Sequence, residues 1–316
     1  MSKWLLGLLA LLTLLAIVAG FASGWSQPGL LNLLDRVSPA DAREQPVRLA
    51  AKGLAYANDP AGVQRVDVWT PANLAPGAKA PVIVWFHGGG WTSGSREAYG
   101  FAGRAFASRG FVTVAVGYRL GDAGRWPNFM QDAAAAVRWT RANIARFGGD
   151  GERLVLAGHS AGAHIATLVA LDRRWLGNDN AAVAGVIGLA GPYDWLPFDP
   201  GSGSERVMGR AQPIGDTQPV NFARADAPPM WLAWGLSDTS VKRRNIDNLS
   251  AALQRVGAPV EVKLYPGMTH AGSVKPLARP FRGDAPLLDD AVAAARGMLA
   301  RDGNAPSALR GTPSGA

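Results

Sequence analysis

The chain opens on an unbroken apolar run. From Trp4 to Phe21 it reads WLLGLLALLTLLAIVAGF, and no charge falls between Lys3 and Asp35. As a helix this run would span about 27 Å, close to the roughly 30 Å hydrocarbon core of a bilayer. No helical phase of it offers a polar face, which argues against a buried core helix. The apolar region of a secretory signal is usually shorter, about 7–15 residues, although Gly20, Ala22 and Gly24 supply the small residues that a signal peptidase needs. Residues 1–22 therefore read as a transmembrane anchor or a signal peptide, and the length favours the anchor. Either one predicts that the rest of the chain lies outside the cytoplasm, periplasmic and held at the inner membrane if anchored, or secreted if cleaved.

Past this run the pattern changes. Residues 23–46 read as a linker, in which Leu30-Leu31 and Leu33-Leu34 form one apolar turn that lies on the membrane or on the following domain. Val63–Trp69 alternates apolar and polar positions, as a half-buried strand does. Pro81–Phe86, Phe111–Val116, Arg153–Ala157, Val183–Leu189, Met230–Trp234 and Val260–Tyr265 are short apolar runs that suit strands buried on both faces of a parallel sheet. Helical periods separate them. Over Asn128–Phe147 the residues Phe129, Ala133, Val137, Ile144 and Phe147 share one face, and Gly148-Gly149 follow as a stop signal. Further helices are predicted at Ala161–Leu171, Val241–Val256 and Leu287–Ala300. Alternation of this kind predicts an α/β fold whose ligands bind beyond the carboxyl ends of the strands. Residues 47–301 read as one domain, and residues 302–316, which lack periodicity, as a disordered tail.

Composition adds mainly exclusions. The 316 residues contain no cysteine, which removes disulfides, thiol nucleophiles, thiolate metal sites and a lipoprotein anchor. Only four histidines are present, so a site needing several imidazoles has few candidates. The formal net charge of +8 comes from scattered arginines. Its densest group, Lys242-Arg243-Arg244, falls in a predicted surface helix with no nucleic-acid motif around it, so no nucleic-acid partner is predicted.

Two segments carry chemistry. Strand Arg153–Ala157 runs straight into Gly158-His159-Ser160-Ala161-Gly162, and a helix follows at once. This is G-x-S-x-G in the strand–turn–helix setting that raises the serine hydroxyl above a sheet. The bland alternative is a tight packing turn with an inert serine. The amide of Ala161 falls at the helix amino end, where its N–H can meet developing negative charge. Strand Pro81–Phe86 ends in His87-Gly88-Gly89-Gly90-Trp91, and consecutive glycines let bare N–H groups approach a ligand. A phosphate loop is excluded, because the lysine it requires is missing. Two of Gly88, Gly89 and Gly90 are expected to complete an oxyanion hole with Ala161.

HGGGW, Tyr118-Arg119-Leu120, Trp126-Pro127, GHSAGAH at Gly158–His164 and Gly191-Pro192-Tyr193-Asp194 together resemble the α/β-hydrolase superfamily. More narrowly, they are similar to BD-FAE-like and hormone-sensitive-lipase-like carboxylesterases, a group that also includes arylformamidases. The resemblance covers roughly Val47 to Arg301. It implies an eight-stranded, mostly parallel sheet flanked by helices, hydrolysis of carboxylic esters or related acyl compounds, and no cofactor or metal.

In that fold a nucleophile is followed along the chain by an acid and then a histidine. Among His87, His159, His164 and His270, only His270 lies well after the elbow, in a loop leaving a predicted strand. Asp238 follows the strand Met230–Trp234, one α/β unit earlier, whereas its rival Asp247 falls inside a helix pattern. Ser160, Asp238 and His270 are therefore the expected triad, working through an acyl-enzyme. The long segment Pro192–Pro229 is expected to wall the site, and Trp91, His159 and Trp195 to contact substrate. A carboxylesterase for small to medium acyl esters is the leading expectation. An acyl-amide hydrolase of arylformamidase or peptidase type would keep the same triad, and a silent membrane-tethered binding protein would not need one.

Overall fold

Strands that read as uninterrupted apolar runs occupy the centre of the sheet, because both of their faces are covered. The computed structural model describes residues 27–303. The run Trp4–Phe21 and almost all of the predicted tail lie outside the described residues. Among those described, no helix is long and apolar enough to cross a membrane.

The eight strands are β1 (Val47–Ala55), β2 (Arg65–Pro71), β3 (Ala80–Phe86), β4 (Val112–Val116), β5 (Gly149–His159), β6 (Val183–Leu189), β7 (Met230–Gly235) and β8 (Val260–Tyr265). They form one sheet in the order β1-β2-β4-β3-β5-β6-β7-β8. The pairs β1–β2 and β2–β4 are antiparallel, and all the others are parallel. Helices α1 (Gln27–Val37), α2 (Gly100–Ala107), α3 (Asn128–Asn143), α4 (Ala161–Leu171), α5 (Arg173–Leu176), α6 (Gly203–Met208), α7 (Arg244–Arg255) and α8 (Leu287–Gly303) cover or connect them.

Period-2 alternation divides the core in two. Val82, Val84 and Phe86 of β3 pack with Phe129 and Val137 of α3 and Ile165 and Leu168 of α4. Ile83 and Trp85 point the other way, toward Phe101 and Phe106 of α2 and Ala291 and Ala295 of α8. Parallel register then sets the site edge. Phe86 pairs with Gly158, His159 with Leu189, and Gly235 with Tyr265, so β3, β5, β7 and β8 all deliver their following loops to one edge.

Three elements depart from the sequence expectation. Strand β1 has two register breaks against β2 and is nowhere fully buried, so its alternation is weak in the sequence. Helix α2 is buried at all eight positions, which leaves no amphipathic period to detect. Residues 27–37, expected within a linker, form α1, which packs on the domain. Its Asp35 is fully buried and accepts from Arg104 Nε at 2.5 Å and from the Arg279 amide at 2.7 Å. Asn32 Oδ1 accepts from Arg104 Nη2 at 2.6 Å, and the Arg104 guanidinium lies over Trp69.

Removing one partner of a buried pair leaves the other charge uncompensated, at a cost of about 3–5 kcal/mol. Asp35→Ala is accordingly expected to lower unfolding free energy by roughly that amount, measured by urea denaturation of the folded chain. A loss under about 1 kcal/mol would mean that α1 contributes little to the domain.

Candidate active site

Ser160 stands between β5 and α4 with φ 55° and ψ −121°, a conformation that a side chain adopts only under constraint. Part of the constraint is the turn itself, since the Ser160 amide donates to the Leu189 carbonyl at 2.9 Å. The rest is a close approach of backbones. A Cβ on Gly162 would lie 2.0 Å from the Phe86 carbonyl oxygen and 2.6 Å from that of His87. The elbow and the glycine loop are therefore pressed together by the absence of a side chain.

His270 connects the hydroxyl to the acid. Its Nε2 lies 2.9 Å from Ser160 Oγ, and its Nδ1 lies 2.8 Å from Asp238 Oδ2. The Asp238 side chain is fully buried, and its other oxygen accepts the amides of Ser240 and Val241 at 2.8 and 2.9 Å. Those bonds fix the carboxylate before it meets the imidazole. The loops bearing Asp238 and His270 are also joined, because the Ser237 amide donates to the Met268 carbonyl at 3.0 Å.

The remaining histidines each hold a different part of this edge. His87 is buried, stacks on Tyr118 at 4.3 Å and donates from Nδ1 to the Gly88 carbonyl at 2.8 Å. Tyr118 Oη donates to the His87 carbonyl at 2.7 Å. His159 lies with Nδ1 3.3 Å from the Tyr99 hydroxyl and Nε2 3.2 Å from the His270 carbonyl, which also accepts from Ser273 Oγ at 2.6 Å. His164 meets the Thr217 carbonyl at 2.7 Å and packs at right angles to the Trp91 ring. Burial pushes the imidazoles of His87 and His164 down to about 4 and that of His159 to about 3.

In the glycine loop, Gly88 is buried between His159 and Tyr99, whereas Gly89 and Gly90 are partly exposed. Gly89 has φ 127°, and a Cβ there would meet the Ser93 carbonyl oxygen at 2.1 Å. Among the described residues, the amides of Gly89, Gly90 and Ala161 donate to no backbone carbonyl. Trp91 is buried against His164 and Phe129. Trp195 is half-buried and donates from Nε1 to Ser204 Oγ at 3.2 Å, while its amide is held by Gln218 Oε1 at 2.6 Å. Gly203, in the same long segment, stands beside the Gly90 carbonyl, so residues 192–229 do form a wall over the glycine loop.

Sequence reasoning missed Tyr99, Ser273, Thr217 and the amides of Ser240 and Val241. None belongs to a local pattern, and each acts through a contact that only the folded chain creates. Tyr118 could have been weighed, since it begins one of the recognised motifs. Arg119 in that motif serves the scaffold instead: Nη2 reaches buried Asp132 at 2.6 Å.

Two outcomes follow from this packing. Gly162→Ala forces a methyl group against immobile backbone and is expected to cost about 3 kcal/mol, read from the urea midpoint. The buried histidines bear on pH. Folded, they stay neutral until well below the ordinary 6.5, so the unfolded chain binds more protons between about pH 6.5 and 4 and stability falls as pH drops through that window. Denaturation midpoints at pH 7.5, 6.0 and 5.0 should decline, and His164→Gln should show a shallower decline. An identical slope in that variant would rule His164 out as a contributor.

Comparisons with known proteins identify the family. The BD-FAE family model matches residues 66–253. Esterase LipC of Mycobacterium tuberculosis is 32% identical over 58% of this chain and 50% of its own length. Esterase LipQ of the same organism is 30% identical over 77% of this chain and 61% of its own. The chain thus spans about half to three fifths of the length of these relatives. A butyrate-bound esterase structure from Thermogutta terrifontis superposes with a TM-score of 0.62 at 25% identity, covering 81% of this chain and 96% of that one. The family model covers more than half of the chain, which therefore belongs to the BD-FAE family of α/β-hydrolases.

Proposed function

We propose that the protein is a serine carboxylic-ester hydrolase acting on small to medium acyl esters. The observation that carries this reading is the continuous pair of hydrogen bonds from Ser160 Oγ through His270 to Asp238. The names of the esterase relatives support it.

Ser160 Oγ attacks the acyl carbon while His270 Nε2 takes its proton. Asp238 holds Nδ1–H and thereby selects the tautomer whose Nε2 carries the lone pair. The amides of Ala161, Gly89 and Gly90 receive the oxyanion. Gly88 is the member of the glycine run left out, because its surroundings are already closed by His159 and Tyr99. His270 then protonates the leaving alcohol, and water repeats the sequence on the acyl-enzyme. The location that goes with this reading is outside the cytoplasm, with Trp4–Phe21 inserted in the inner membrane.

Hydrolysis of p-nitrophenyl butyrate is the expected activity. Ser160→Ala should lower its kcat by roughly 10⁴-fold or more, and Asp238→Asn by about 10⁴-fold, with the far-ultraviolet circular dichroism of both variants unchanged. Undiminished turnover in Ser160→Ala would remove the serine from the mechanism. A matched panel of esters, N-formylkynurenine and aminoacyl amides separates the ester reading from an amide one, which consumption of the amides alone would establish.

A further inference from the structure

Beside the loop that carries His270, an open groove of about 680 Å³ separates α1 from that loop. One wall is made by Leu30, Leu31 and Leu34, all partly buried; the other includes Pro266, Met268 and Phe281. Thr269 and Ala271, the chain neighbours of His270, line it as well. The two charged residues in its lining, Lys275 and Asp284, are paired with each other at 2.8 Å, so neither is free to recruit an ion. Such a lining suits hydrocarbon.

The direction of α1 says what covers it. Asn32 Nδ2 donates to the Glu97 carbonyl just ahead of α2, on the edge of the sheet that carries Ser160. Asp41, beyond the far end of α1, reaches Arg109 just past the other end of α2. Helix α1 therefore starts at the site edge and runs away from it. Its first residue, Gln27, follows the last residue of the apolar run, Phe21, by six positions. Six extended residues reach at most about 20 Å. A run inserted in hydrocarbon thus keeps the first turn of α1, and the groove beside it, within about 20 Å of the bilayer. Trp25 falls in this short connection, where membrane-interface aromatics are enriched.

We propose that the groove between α1 and the His270 loop docks on the lipid bilayer, with acyl chains against Leu30, Leu31 and Leu34, so that the edge bearing Ser160 faces the membrane. This rests on the reading of Trp4–Phe21 as membrane-inserted. Esters that partition into the bilayer then reach the serine without crossing bulk water.

The absence of cysteine makes the test clean. Ala285→Cys places a single nitroxide in the groove, Pro286→Cys places one on its exposed rim, and Ala181→Cys places a control at the opposite edge of the sheet, just before β6. The full chain is reconstituted in vesicles of phosphatidylethanolamine and phosphatidylglycerol. Collision with oxygen is compared with collision with a water-soluble nickel chelate. At positions 285 and 286, oxygen is expected to exceed the chelate several-fold, and at 181 the order should reverse. Failure of the full chain to sediment with vesicles overturns the membrane reading and the docking with it. Vesicle-bound protein with aqueous values at 285 and 286 overturns the docking alone. Shielding of both positions from both reagents without vesicles overturns it in favour of the chain's own first 26 residues as the occupant. Turnover of p-nitrophenyl butyrate by the labelled protein reports separately on the esterase reading.

Discussion

The tightest contact at the site edge is between two stretches of backbone, Gly162 and the carbonyl of Phe86. It exists because β3 and β5 are parallel neighbours in register and end at the same level, Phe86 opposite Gly158. Once that register is set, the turn after β5 and the loop after β3 must share one small volume. Only residues without side chains fit at the closest points. The strained backbone of Ser160 and the exposed amides of Gly89 and Gly90 are two results of this single crowding. Neither would survive a shift of the strands by one residue, since that would also exchange the two faces of the core.

The four histidines show how the rest of the edge is held. One is partly open to solvent and lies between the hydroxyl and the carboxylate. The other three are buried and kept uncharged, and each ties a different loop: His87 the glycine loop, His159 the carbonyl of His270, and His164 the long wall through Thr217. A buried imidazole that stays neutral offers one donor and one acceptor without bringing charge near the serine. The chain uses three of them where lysines or arginines would have imposed a field on the reacting centre.

How much of this could be read from the sequence depends on whether the information was local. Strands covered on both faces announce themselves as apolar runs, and six of the eight were visible in that way, with β2 visible as an alternation. Strand β1 was not, because an edge strand with broken register has no regular alternation, and α2 was not, because full burial erases the helical period. Ser160 was legible from its glycines, and Asp238 and His270 from their order along the chain. Tyr99 and Ser273 were not legible, since their roles consist of touching His159 and the His270 carbonyl across the fold. The apolar turn in the supposed linker was noticed, yet its attachment depends on Arg104 and Arg279, far away in sequence.

That last attachment has a bearing on time. Asp35 and Arg279 are 244 residues apart, and their bond closes nearly the whole domain into a loop. Ribosomes add roughly 5–20 residues per second, so about 12–50 s pass between the synthesis of one partner and that of the other. For that interval α1 can be held only through its contacts with Glu97 and Arg104, made earlier. The first of the described helices thus completes its attachment only after nearly the whole domain has been made.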